Sequence, residues 1–336
     1  MKNLILVGGN RLNEDEPLNT IIDLAKKKNY RIFLYTEKVH LEKKCKNTSF
    51  RVFLKKKKIE HIKVDNINSQ LQSIKKKVDI RANNLMLLTN SIWKINKNLI
   101  NLFKNKIFNI HIGKFPFQIG AGGASWLKLV GAKLSSITIH EVTEEYDEGK
   151  VLLEKDFKLS ANFSLLSYYS SVRKNEKLAY KLFFNIVEKK HRLKLKNKKD
   201  KVYMPRLNTK IHGFIDWSWD AKEIVNFINA FSDPYQGATT FIKKKKFLLK
   251  NAKFKRSKLK FHPFQSGIIF NKNSNGLNIA AKNGCIQVNN ISDSNGKKID
   301  LNSIKTGSRF FTSAYYLDQA RSTSSFHSSK GIINKN

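Results

Sequence analysis

Residues 109–149 read NIHIGKFPFQIGAGGASWLKLVGAKLSSITIHEVTEEYDEG. The stretch opens at the end of an apolar run, KIFNIH, and passes through a glycine-rich loop and a short helical segment. It then enters ITIHEV (137–142), a strand pattern, and stops at the acidic turn Tyr146-Asp147-Glu148-Gly149. Asn109 and His111 are two residues apart, so a strand points both to the same face. Asp147 follows the next strand. A carboxamide, an imidazole and a carboxylate at the ends of neighbouring strands is the placement an open α/β sheet uses for its ligands. Together they suit acyl transfer: Asn donates to an oxyanion, His trades a proton, and Asp orients and charges the His.

Outward from this stretch, short apolar runs alternate with helix-length segments. LILVGG (4–9), RIFLY (31–35), HIKV (61–64), NLMLLT (84–89) and IFNIH (107–111) read as strands. Segments such as Pro17–Lys28 and Ser69–Lys77 can hold helices between them. The alternation predicts a mostly parallel, doubly wound sheet. Ser164 is placed to cap a long helix over 164–189, whose Leu165, Tyr168, Val172 and Leu182 fall at helical spacing. Residues 191–210 are basic and aperiodic and read as a linker. Beyond it, Asp220–Phe231 predicts one helix, and the short strands GATTFI, KFLLK, SGIIF, LNIAA and CIQVNN predict a small β barrel or sandwich. The Ser-rich tail from Gly307 offers FFTSAYYLDQA as its one ordered piece.

The order N-x-H, a loop with Pro116 and Gly120, then D-x-G resembles the catalytic core of the formyltransferases that use 10-formyltetrahydrofolate. Ile215-Asp216-Trp217, the stretch AFSDPYQGA (230–238), HPFQSGIIF and GLNIAAKNGCIQV resemble the second, OB-like domain of the two-domain members. The resemblance covers roughly residues 1–300. It implies a Rossmann-like α/β formyltransferase domain over 1–195, a linker over 196–206, an OB-like β domain over 207–300 and a tail over 301–336. It implies Asn109, His111 and Asp147 as catalytic residues, 10-formyltetrahydrofolate as co-substrate and no metal. The folate is expected across Trp93, Lys94 and Ile95 and the loop Thr143, Glu144, Glu145 and Tyr146.

Members of this family formylate initiator methionyl-tRNA, nucleotide-linked amino sugars or a purine precursor, and the last lack the second domain. The tRNA enzymes usually carry an arginine where this chain has Gln118-Ile119-Gly120, and a G-T-P-x-F-A turn where it has VGGNRLNEDEP (7–17). The expected acceptor is therefore a nucleotide-linked amino sugar, with methionyl-tRNA as the alternative and a homodimer as one allowed assembly. A rival of another class is a basic OB-type nucleic-acid-binding protein with an inactive formyltransferase-like domain. The intact Asn109, His111 and Asp147 oppose it.

Composition sets the outer bounds. An apolar content of 40% describes a globular chain rather than a disordered one. Two cysteines without C-x-x-C spacing indicate neither a disulfide framework nor a zinc site. No apolar run reaches the ~18–20 residues of a membrane span, and MKNLILVGG reads as a buried strand, so a cytoplasmic protein is expected. The net charge of +38 suggests polyanions, yet the excess is lysine, in runs scattered along the chain. Arginine, the residue suited to bidentate phosphate contacts, is scarce.

Several features have ordinary readings. Gly8-Gly9 lacks the G-x-G-x-x-G pattern, so no dinucleotide is expected. His140 reads as structural and Trp217 and Trp219 as packing. Gly120, Gly122 and Gly123 suit either a phosphate cradle or close backbone approach.

Overall fold

The computed structural model describes residues 2–9, 16–45, 48–78, 84–104, 106–121, 123–189, 196, 200, 202–256, 259–328 and 331–335. Seven strands form the main sheet: β1 (Lys2–Gly8), β2 (Tyr30–Thr36), β3 (Glu60–Lys63), β4 (Asn84–Thr89), β5 (Ile107–Ile112), β6 (Leu134–Glu141) and β7 (Val151–Lys158). Their spatial order is β7-β6-β5-β4-β1-β2-β3. The five strands from β5 to β3 run parallel, and β6 and β7 join antiparallel at one edge.

The apolar runs of the central strands are continuous because both faces are covered. On β1, Leu4 and Leu6 enter one core with the helices α1 (Glu16–Lys27) and α2 (Leu165–Val187). Ile5 and Val7 enter the other, with Ile74 and Leu99 from short helices over 71–77 and 97–102. Ser164 caps α2 as its sequence predicts: its hydroxyl accepts from Ser167 N, and the Ser167 side chain accepts from Ser164 N. At the other end of α2, Glu188 receives Lys2 Nζ and the Tyr30 hydroxyl, which ties the helix to the start of β1 and β2.

The chain leaves β1 toward β2 on one side and returns to β4 on the other, so the sheet reverses its winding between β1 and β4. Gly8 sits at this switch with a φ of 114°, and a Cβ there would lie 2.1 Å from the Thr89 carbonyl. The functional residues of β5 lie one strand further along the same strand ends, where α/β sheets hold ligands.

The second unit has its own core around Ile224, Ile228, Phe231, Ile279 and Ile286. Among the described residues it contains the helix Ala221–Ala230, a short helix Thr209–His212, a three-stranded and a four-stranded sheet. Trp217 stacks on Phe310 and donates to Thr240 Oγ1, and Trp219 packs on Phe227, the packing roles expected of them. The helix Ala221–Ala230 meets the short helix Gly123–Leu129 of the first unit, where Ser125 Oγ donates to Ala230 O at 2.8 Å. The tail carries more order than its serine content suggests: a helix, Ala314–Ser322, and a hairpin of Ser324–Ser328 with Gly331–Lys335. Tyr316 of that helix stacks on Phe214 and Phe241, which supplies the tertiary support a short polar helix lacks alone. Among the described residues no helix is long and apolar enough to cross a membrane.

Candidate active site

Strand β5 delivers Asn109 and His111 from one face, and β6 lies beside it with Asn109 directly opposite His140 and His111 opposite Thr138. The chain turns after β6 and returns as β7, and Asp147 lies in that turn with a φ of 55°. Asp tolerates this left-handed region better than most residues. Gly149 lets the turn close, because a Cβ there would lie 1.8 Å from the Glu141 carbonyl oxygen. The result brings the Asp147 carboxylate back over the paired strands.

Four groups converge on that carboxylate. Asn109 Nδ2 lies 3.4 Å from Asp147 Oδ1, and His140 Nε2 lies 3.4 Å from the same oxygen. His111 Nδ1 is 3.5 Å from Oδ2, and the Gly120 backbone N–H donates to Oδ2 at 3.1 Å. Burial alone would raise the carboxyl pKa. The charge of His111, the contact with His140 and the Gly120 N–H outweigh it and hold Asp147 well below the usual carboxylate range. Asp147 is therefore an anion at neutral pH.

The imidazoles are fixed by backbone carbonyls. His111 Nε2 is 2.6 Å from Gln118 O, which requires a hydrogen on that nitrogen and leaves Nδ1 facing Asp147. Gly113 makes room for this, since a Cβ there would stand 2.4 Å from Gln118 O and 2.7 Å from His111 Nε2. His140 Nδ1 is 2.7 Å from Glu141 O and carries a hydrogen there, and Nε2 lies 3.2 Å from Asn109 Nδ2 and 3.4 Å from Asp147 Oδ1. The Asn109 amide nitrogen thus faces both His140 and Asp147. Both nitrogens of His111 are engaged inside the protein, Nε2 by Gln118 O and Nδ1 by Asp147.

Asn109 and Asp147 line a small, partly open cleft. Trp93, Lys94, Ile95, Thr143, Glu145 and Tyr146 line it with them, as do Leu88, Val142 and His140. Of the residues expected along the folate, Glu144 is exposed and does not line the cleft. The walls are braced: Tyr146 donates its hydroxyl to Ile92 O, Trp93 Nε1 donates to Asp65 O, and Lys94 pairs with Glu145 at 2.5 Å. Two aromatic rings, Trp93 and Tyr146, thus share the cleft's lining with the polar groups of Asn109 and Asp147.

His140, read from sequence as structural, lies in contact with both Asn109 and Asp147. Its signal is the register of β5 against β6, which pairs it with Asn109, and one sequence does not state that register. Of the glycines, Gly120 serves close approach: its φ is 93° and a Cβ would stand 2.5 Å from Met204 O. Gly123 opens the helix Gly123–Leu129, and Gly122 lies outside the described residues. Among the described residues no group of three His, Cys, Asp or Glu side chains has metal-binding geometry.

A doubly wound sheet with an Asn-His-Asp cluster at its strand ends, beside a cleft walled by Trp93 and Tyr146, defines a group-transfer fold of the formyltransferase class. Residues 1–183 match the family profile "Formyl transferase" and residues 208–309 match "Formyl transferase, C-terminal domain", so the chain belongs to the formyl transferase family. It is 26% identical over 237 residues to the bifunctional polymyxin resistance protein ArnA of Wigglesworthia glossinidia brevipalpis, a match covering 63% of this chain and 34% of that protein. It is 23% identical over 198 residues to a methionyl-tRNA formyltransferase of Clostridium tetani, covering 59% and 62%. The chain thus matches less than two thirds of the length of either relative. Among solved structures, an N-formyltransferase from Helicobacter canadensis, in complex with folinic acid and dTDP-3-aminofucose, superposes with a TM-score of 0.63. The likeness covers 86% of this chain and 98% of that one at 15% identity, a likeness of fold.

Proposed function

We propose that this protein transfers a formyl group from 10-formyltetrahydrofolate to the primary amine of a nucleotide-linked amino sugar. The observation that carries the reading is the convergence of Asn109, His140 and Asp147 at the end of a cleft walled by Trp93 and Tyr146, in a chain of the formyl transferase family. In this reading residues 1–195 form the catalytic unit, 196–206 the linker and 207–300 a domain concerned with acceptor or assembly. Residues 301–336 form the tail.

The chemistry uses few groups. The attacking amine must be neutral and must lose a proton, the formyl oxygen must take up negative charge, and the folate nitrogen must leave protonated. Asn109 Nδ2 exchanges one of its internal contacts for the formyl oxygen and stabilises the tetrahedral oxyanion. Asp147, already an anion, accepts the proton from the amine as the new C–N bond forms. His111, beside Asp147, stabilises the charged carboxylate before that transfer. Collapse of the intermediate breaks the bond from carbon to the folate nitrogen, and the proton on Asp147 passes to that nitrogen. The route differs from direct donation by His111 because Gln118 O occupies Nε2.

For the acceptor, the loop 113–121 argues toward a small molecule. Its one cation, Lys114, is turned to Asp156 at 2.5 Å and Glu154 at 3.5 Å, so it offers no free charge to a phosphate backbone. The fold likeness to an enzyme described with dTDP-3-aminofucose favours the same reading. Methionyl-tRNA is the second acceptor, supported by the relative from Clostridium tetani. The test is incubation with 10-formyltetrahydrofolate and either a panel of nucleotide-linked amino sugars or charged initiator tRNA, with products read by mass. A product 28 Da heavier, one carbonyl, identifies the acceptor in its arm; no such product in any sugar arm overturns the sugar reading.

A further inference from the structure

The catalytic loop is not held by the first unit alone. A short strand of the linker, Tyr203–Met204, runs parallel to Ile119–Gly120 and is bonded to it along its length. Val202 N donates to Pro116 O at 2.8 Å, Ile119 N to Val202 O at 3.3 Å, and Ala121 N to Met204 O at 2.9 Å. Trp126 Nε1 donates to Pro205 O at 2.7 Å and fixes the strand's far end. Three hydrogen bonds thus span six residues of loop, and a fourth ties the linker to the helix Gly123–Leu129. The loop residues between these bonds touch the site: Gln118 O receives His111 Nε2, and Gly120 N donates to Asp147. Gly120 is where the two systems meet, because the missing side chain lets Met204 O and the Tyr203 ring approach its α-carbon.

The linker is fastened in turn from behind by the tail. Arg206 bridges Ser325 of the terminal hairpin, Asn208 Nδ2 lies 3.5 Å from Asn334 Oδ1, and His212 Nε2 lies 2.9 Å from Thr323 O. The helix Ala314–Ser322 and the hairpin of this tail lie beyond residue 309, where the match to the C-terminal family profile stops. A continuous set of contacts therefore runs from the hairpin through the linker to the catalytic loop.

We infer that the linker segment Val202–Pro205, anchored by the terminal hairpin, is a positioning element of the active site that sets the Gln118 carbonyl on His111 and the Gly120 amide on Asp147. Its residues touch no substrate. They act through the loop 113–121, which buries Phe115 and Ile119 but takes the backbone bonds of its 116–121 stretch to another chain segment from the linker. Hydrogen bonds to a second chain segment give it one geometry, and catalysis is sensitive to that: a displacement of ~1 Å can cost about 10²-fold in rate.

The inference rests on the proposed formyl transfer for its kinetic arm only. In the full-length protein, Val202→Pro removes the N–H that Pro116 O accepts, while Val202→Ala keeps it and changes only an exposed side chain. Trp126→Phe removes the bond to Pro205 in a variant that keeps the aromatic packing. Hydrogen exchange over residues 116–121 should rise about tenfold or more in Val202→Pro and Trp126→Phe but not in Val202→Ala. The nitrogen-15 titration of His111 should shift in the same two variants. Turnover of 10-formyltetrahydrofolate should fall about tenfold to a hundredfold with KM for the formyl donor within about twofold. Exchange and His111 titration equal to wild type in both variants would overturn the inference. So would faster exchange with kcat and its pH profile unchanged, since the linker would then be a structural tie alone. If Val202→Pro does not fold, Trp126→Phe decides. A wild-type protein that does not use 10-formyltetrahydrofolate would refute the functional reading, and the exchange and titration arms would still judge the linker.

Discussion

Asn109 and His140 stand directly opposite each other across the antiparallel pair β5 and β6, with Asn109 Nδ2 3.2 Å from His140 Nε2. A hydrogen-bonding carboxamide can rotate by 180° at little cost unless its neighbours distinguish nitrogen from oxygen. Here they do. Asp147 Oδ1, a carboxylate acceptor 3.4 Å away, demands the nitrogen of Asn109, and His140 Nε2 packs beside both groups.

The first prediction follows from that relationship. His140→Ala removes one of the two groups that orient Asn109 and should lower kcat about tenfold, equivalent to ~1.4 kcal/mol of barrier, with KM for the formyl donor little changed. His140→Gln, whose carbonyl can accept from Asn109, should recover part of the loss. Steady-state kinetics on folded variants decide the matter, and wild-type kcat in His140→Ala would remove His140 from the site.

A second prediction concerns Asp147 and pH. Its native pKa lies below that of an unfolded aspartate, ~3.9, through His111, His140 and the Gly120 amide acting against burial. A depressed native pKa contributes stability that is fully present above the unfolded value and is lost as pH falls through the native one. Asp147→Asn should therefore be less stable than wild type at pH 7, and the gap should narrow below about pH 4 as the unfolded carboxyl of the wild type takes up its proton. Urea titrations of both proteins at pH 7 and at the lowest pH where they remain folded measure it. A gap that widens on acidification contradicts the sign of the coupling.

The α2 helix gives a third, purely structural prediction. Ser164 and Ser167 satisfy each other's backbone N–H groups at its start, and replacing an N-cap serine by alanine costs roughly 1 kcal/mol. Ser164→Ala should lower the unfolding free energy by that amount, read as a lower unfolding midpoint, without changing formyl transfer. Ser164 lies on the far side of α2's length from Glu188, so the Lys2 and Tyr30 contacts stay as they are. An unchanged midpoint would mean that the first turn is held by packing of Leu165 and Tyr168 alone.

The fold was legible where local sequence carries the decision. The strands from Leu4 to His111, the capping serine at 164 and the helix starting after Asp220 follow from apolar runs and cap chemistry, which neighbours in sequence settle. Strand β7 was not legible: VLLEKDFK places Glu154, Lys155 and Asp156 on an edge strand whose exposed flank tolerates charge, so no alternation marks it. The linker strand was hidden for a different reason. Val202–Pro205 has no strand pattern of its own, and its partner is a loop some 80 residues earlier. Asn109, His111 and Asp147 could be named because their types and order are distinctive. His140, the Gln118 carbonyl and the Gly120 amide are contributed by register and backbone, which residue identity does not encode.

The last prediction separates the two acceptors. A tRNA is held through many phosphates, each released counterion steepening the salt dependence of binding by about 0.7 to 0.9 in log–log slope. A nucleotide-linked sugar presents a single diphosphate and gives a shallow slope. The molecule carries +38, so weak association with any nucleic acid at low salt is expected from charge alone. That association should not distinguish one tRNA from another, because Lys114, the cation of the catalytic loop, is taken up by Glu154 and Asp156. The lysine runs 55–58 and 75–77 lie on or beside the first unit's short helices, at a distance along the chain from that loop. At ~150 mM salt, where charges are screened beyond ~8 Å, initiator tRNA and an unrelated tRNA should bind equally weakly, while a dTDP-linked amino sugar should keep most of its low-salt affinity. Fluorescence anisotropy over a salt series measures both. A clear preference for initiator tRNA at that ionic strength would mean that cations outside the catalytic loop select the acceptor stem, and the tRNA reading would replace the sugar one.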